Sequence, residues 1–189
     1  MRALTLLFAV GLLLSGCGSV SSARIAADDG QRLTLEGLSL QVPTGWSSYA
    51  VDFGASSPEP MLWVANVTLP MKPSKERPDD LPPYQVLSRL PSDGIVLEVG
   101  AIRADATAEE ECPRPRLRLA AADVVGSDYE GQPAPNVSSG SVSAHREDLC
   151  LGAQAWFGVN EPNEAMLEQV NRVLDSVELR VPDSPKNGR

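Results

Sequence analysis

Two stretches near residue 35 alternate apolar and polar positions with a period of two: Leu33 and Leu35, then Leu38, Leu40 and Val42. That period predicts two half-buried strands, with Glu36-Gly37 between them as a tight hairpin turn. Pro43-Thr44-Gly45 ends the second strand, because proline removes a ladder donor and glycine permits a turn. Trp46, Tyr49, Val51 and Phe53 follow as an aromatic-rich segment that reads as core and core edge. Met61 to Leu69 is apolar and β-branched, which predicts a strand with Asn66 in its middle. The segment 70–83 holds five prolines and six charges and reads as an exposed loop. Pro82 or Pro83 can open a short helix over 84–90, with Val86, Leu87 and Leu90 on one face. Pro91 to Gly94 is a turn, and Ile95 to Ile102 a buried strand.

Beyond residue 102 the pattern is less regular. Residues 103–115 form an acidic loop, in which Glu109-Glu110-Glu111 reads as a solvated charge run. Arg116 and Arg118 alternate with Leu117 and Leu119, which suits a strand with arginine on its wet face, and Ala120 to Val125 extends it. Residues 126–140 are rich in Gly, Ser and Pro and read as a loop, and 141–145 is a weak strand candidate. Leu151 to Val159 is a strand with Trp156 and Phe157. Asn160 or Glu161 can cap the clearest helix, which has Pro162 in its first turn and an apolar stripe at Met166, Leu167, Val170, Val173, Leu174 and Val177. Glu168, Gln169, Asn171 and Arg172 then fall on the other face. Ser176 to Val181 alternates again as a final strand. These elements predict one α+β domain over residues 31–181, a mostly antiparallel sheet packed against a C-terminal amphipathic helix and a shorter helix. Residues 182–189 are a polar tail.

The start of the chain carries an address. Arg2 precedes an unbroken apolar run, Ala3 to Leu14, too short to span a bilayer. Leu14-Ser15-Gly16-Cys17 then resembles the lipobox of bacterial lipoproteins. The resemblance implies a signal peptide over 1–16 and a diacylglyceryl thioether on Cys17. Small residues suit the cut because the peptidase grips the backbone closely. Residues 17–30 are small, polar and aperiodic, and read as a lipidated tether. The implied location is the extracytoplasmic face of a cell membrane, with the membrane as partner through the Cys17 lipid.

Composition narrows the partners. The 189 residues carry a net charge of −9, which argues against nucleic acid or anionic headgroups as partners because phosphates are repelled. The basic residues are 13 Arg against 3 Lys, a bias that suggests a GC-rich bacterial genome such as an actinobacterium. Lipidation of Cys17 leaves Cys112 and Cys150, for which a disulfide is the expectation in an oxidising compartment. A metal site at Cys150 would need further ligands at suitable spacing, and the only histidine is His145. No metal and no cofactor is expected, since no phosphate loop, zinc motif, EF-hand or CxxC pair occurs.

Hydrolase chemistry needs a nucleophile, a base and an orienting acid, and there is no Gly-x-Ser-x-Gly elbow. His145, among Ser141, Ser143, Glu147 and Asp148, is the single imidazole available, and it reads first as a surface histidine. Asp79-Asp80 has nothing to place it across a cleft. Val42-Pro43-Thr44-Gly45-Trp46 after an apolar strand resembles the opening of small extracytoplasmic α+β domains, PsbP-like domains among them. Leu174-Asp175-Ser176-Val177 after the helix resembles their closing motif. The resemblance implies a sheet packed on helices and a scaffold or binding role without known catalytic residues. The expected function is a non-enzymatic binding or accessory module of the cell envelope, with an envelope protein as partner. Alternatives are a carrier of a small apolar ligand or lipid and a hydrolase using His145.

Overall fold

A computed structural model describes residues 30–51, 60–69, 84–103, 112, 114–129, 132–146 and 149–180. In chain order the elements are β1 (Arg32–Leu35), β2 (Leu38–Gln41), β3 (Ser47–Val51), β4 (Met61–Ala65), α1 (Tyr84–Leu87) and β5 (Ile95–Arg103), followed by a 3-10 turn (Ala121–Asp123). Then come β6 (Val124–Tyr129), β7 (Gln132–Arg146), β8 (Leu149–Phe157), α2 (Glu164–Asp175) and β9 (Glu178–Leu179). The architecture is two antiparallel sheets and one helix of three turns, an α+β arrangement dominated by strands.

The smaller sheet has the order β1-β2-β9. Its hairpin turns at Glu36 and Gly37, with φ of 46° and 90°. Two successive positive φ values match the right-handed twist of the flanking strands. Gly37 is irreplaceable for a second reason: its carbonyl accepts from Arg180 N–H at 2.9 Å, and a Cβ there would collide with the Arg180 carbonyl.

The larger sheet runs β3-β4-β5-β8-β7-β6, every neighbouring pair antiparallel. Period-two alternation divides its side chains between two faces. Leu62, Val64, Leu97, Val99, Ala153, Ala155 and Phe157 belong to one core cluster with Met166, Val170, Val173 and Leu174 of α2 and with Leu33, Leu38 and Leu40 of the smaller sheet. Tyr49, Trp63, Ala65, Val96 and Trp156 form a second cluster on the other face, joined by Leu69, Val137 and Leu87 of α1.

Several sequence expectations are revised. Residues 126–140 are not a loop: β6 and β7 form a hairpin there. Main-chain pairing with β6 and β8 holds Ser138 to Gly140 from both sides, β8 continues alongside to Arg146, and Ser138 is itself fully buried, donating to the Val159 carbonyl at 2.7 Å. Pro133 and Pro135 fall before β8 pairing starts at Ser138, where only β6 is alongside. Asn136 takes φ of 66°, on the strand that faces the register shift between Gly126 and Asp128.

Residues 116–119 keep the expected alternation, with Leu117 and Leu119 buried and Arg116 and Arg118 exposed, but form no strand. Asn171 supplies what a partner strand would: Leu119 N–H donates to its Oδ1 at 2.8 Å, and its Nδ2 donates to the Leu119 carbonyl at 2.9 Å. Asn171 is therefore buried, not on the polar face. Asn66 ends β4 instead of occupying its middle, linking Asp93 and Ile95 across the next turn at 2.7 Å each. Asn163 caps α2, its Oδ1 accepting from Met166 N–H at 3.0 Å, so Pro162 precedes the helix. The final strand spans two residues. Cys17, the signal and tether expectations over 1–29, the 70–83 loop, Glu109 to Glu111, Glu147, Asp148 and the 182–189 tail lie outside the described residues.

Candidate functional site

The second face of the larger sheet carries the most unusual polar chemistry. Strand register places Tyr49, Trp63, Glu98, Gln154 and Ser141 in one row across five strands. Three rings lie nearly parallel along this face. Tyr49 and Trp63 have centroids 6.3 Å apart at 14°, and Trp63 and Trp156 5.6 Å apart at 11°. The stack covers Val96 and leaves Glu98 beside it. The next row along the strands holds Met61, Gly100, Gly152 and Ser143. Nothing among the described residues lies within 4 Å of where a Gly152 side chain would begin. Paired glycines on adjacent strands thus lower the floor of the sheet beside the carboxyl, and let another molecule approach the backbone.

Glu98 is half-buried, and desolvation raises its pKa from 4.5 to about 7. Among the described residues it has no hydrogen-bond partner and no cation. Trp63, opposite it, is fully buried and its Nε1 has no acceptor. Buried polar groups are normally paired, so two unmatched groups at one register position mark a place where the fold does not satisfy itself. Sequence reading passed over Glu98, although a lone acid inside Ile95–Ile102 was the available signal.

A second cluster surrounds the cysteines. Cys112 and Cys150 form a buried disulfide with Cα atoms 5.9 Å apart. His145, opposite Cys150 in the register, is half-buried. Its Nδ1 lies 3.1 Å from the Cys112 carbonyl, and its backbone N–H donates to the Arg114 carbonyl at 3.1 Å. A carbonyl only accepts, so Nδ1 is the donor in that contact. Arg114 pairs with Asp123 at 2.9 Å, and that hydrogen bond, with one from Ala120 N–H, lowers the Asp123 carboxyl to about 2. Cys112 and residues 114–120 are therefore a strap beside β7, fixed by the disulfide, the Arg114–Asp123 pair and the Asn171 amide. Of the residues proposed with His145 for hydrolysis, Ser143 shares its sheet face one step along β7.

Two clefts flank α2. One, about 290 Å³, lies beneath the strap between Leu117, Ala144, Leu151 and Leu174, with Arg116 and Asp175 at its rim. The other, about 300 Å³, separates the Val42–Trp46 turn from Gln169, Arg172 and Val173. Among the described residues no group of three His, Cys, Asp or Glu could hold a metal ion, and no helix is long and apolar enough to cross a membrane. Comparison of the chain with family models, curated proteins and solved structures gave no match.

Proposed function

We propose that this chain is an exported lipoprotein, anchored through Cys17 at the extracytoplasmic face of a bacterial membrane, where it acts as a binding or accessory module and not as an enzyme. The observation that carries the reading is the Cys112–Cys150 disulfide. It engages the two cysteines that remain once Cys17 accepts a lipid, and such bonds persist in oxidising compartments. The ligand face of the module is the row around Glu98. A carboxyl without a partner, the Gln154 amide, the Ser141 and Ser143 hydroxyls and a glycine floor together suit a ligand that presents hydrogen-bond donors. The PsbP-like reading, with a sheet packed on helices, has its support in the conformation of its opening motif: Val42 and Trp46 are buried on either side of a turn at Gly45, φ 78°.

A carrier of a small apolar ligand is the second reading, and the cleft of about 300 Å³ beside α2, with its Pro43 and Trp46 wall, favours it. Fractionation of producing cells tests the anchor. The native chain is expected in the membrane fraction, labelled by palmitate and lacking residues 1–16. Cys17→Ser is expected to lose the label and leave the membrane. A membrane-bound, unlabelled Cys17→Ser chain would refute the anchor.

A further inference from the structure

The cleft between the Val42–Trp46 turn and α2 has a composition the chain as a whole does not share. Acids outnumber bases 25 to 16 over the sequence, yet among the described residues the cleft is lined by no carboxylate and by one guanidinium, Arg172. Arg32, Arg114, Arg118 and Arg180 each lie within ion-pair distance of an acid. Arg172 has no such partner among the described residues, and it stands exposed in the last turn of α2. The Gln41 and Gln169 amides add neutral donors beside it. The opposite wall is apolar, formed by Pro43 and by the Trp46 ring, which is 8% exposed and otherwise built into the main core. At about 300 Å³ the space sits at the lower bound of small-molecule pockets.

We propose that this cleft binds a small amphipathic anion, its head on Arg172 and its short apolar body against Pro43 and Trp46. A guanidinium presents parallel donors to a carboxylate or phosphate head. Core packing of Trp46 and Val173 fixes both walls, so the cleft exists before the ligand arrives. The site is separate from the Glu98 row, which lies on the sheet face belonging to the other apolar cluster.

The head can belong to a free molecule or to a membrane lipid, and one experiment separates the two. The full-length chain, made in its producing cells with 15N-labelled tryptophan and carried in phosphatidylcholine nanodiscs, gives three indole signals, one for each tryptophan. Sodium hexanoate is expected to move the Trp46 signal saturably and to leave Trp63 and Trp156 in place. Hexylammonium is expected to move none of them. Arg172→Gln should weaken hexanoate binding about tenfold, the loss of one charge-assisted contact. Arg116→Gln, the same charge change at the other cleft, should leave it unaltered. If nanodiscs with added phosphatidylglycerol shift Trp46 without hexanoate, and Arg172→Gln abolishes that shift, the head is a lipid's; if hexanoate alone does so, the ligand is a free anion. Equal responses to hexanoate and hexylammonium, undiminished binding by Arg172→Gln, or no Trp46 response to either anion would overturn the proposal.

Discussion

Burial raises the Glu98 carboxyl to about 7, so its proton is coupled to folding. Between pH 4.5 and about 7 the folded chain keeps a proton that the unfolded chain has released. Stability therefore declines as pH rises through that window, by about 2–3 kcal/mol, and is level above it. Glu98→Gln removes the charge and keeps the shape. Its melting temperature is expected to exceed that of the wild type by a few degrees at pH 8 and to match it at pH 4. Equal melting at both pH values would mean the carboxyl is better solvated than its surroundings suggest. At this scale the sequence was only partly legible. An acid inside an apolar run is visible by inspection, but the residues facing it come from β4 and β8, tens of positions away. The disulfide was legible because the lipobox resemblance sets Cys17 aside and implies an oxidising compartment, in which the remaining two cysteines have few alternatives.

Among the elements, α2 and the extended segment before the 3-10 turn depend on each other through Asn171. Asn171→Ala strands the Leu119 N–H and carbonyl in a buried place, a cost of about 3 kcal/mol, of which better helix propensity returns a few tenths. The urea midpoint is expected to fall with an unchanged slope. An altered slope would instead indicate that the segment detaches without the rest of the chain. Asn163→Ala, which removes the α2 cap, is expected to cost about 1 kcal/mol. Periodicity predicted β1, β2, β5, β8 and α2 because each has a clean apolar face. It failed over 126–140, where β7 is held by backbone pairing with β6 and, from Ser138 on, with β8, and composition says nothing of that. It also placed Asn171 on the wet face, since a helical wheel cannot register a segment from 52 residues earlier.

For the whole molecule, the disulfide closes a separation of 38 residues and anchors the strap to β8. The paired substitution Cys112→Ser and Cys150→Ser is expected to lower stability by about 4 kcal/mol on chain-entropy grounds. Hydrogen exchange should show a global change, with the protected amides of β5 exchanging faster as well as those of 114–119. Acceleration confined to 114–119 would show instead that the bond fixes the strap alone. The smaller sheet has a different reach. Its strands β1 and β2 stand near the beginning of the described chain and its third, β9, near the end, bound by Ser39 opposite Glu178 and by an Arg32–Glu178 ion pair at 3.0 Å. A polypeptide is synthesised from its amino end, so the hairpin at Glu36-Gly37 is made long before the strand that completes its sheet. Until Glu178 and Leu179 arrive, β2 presents a bare edge, and the growing chain is open to mispairing with a neighbour.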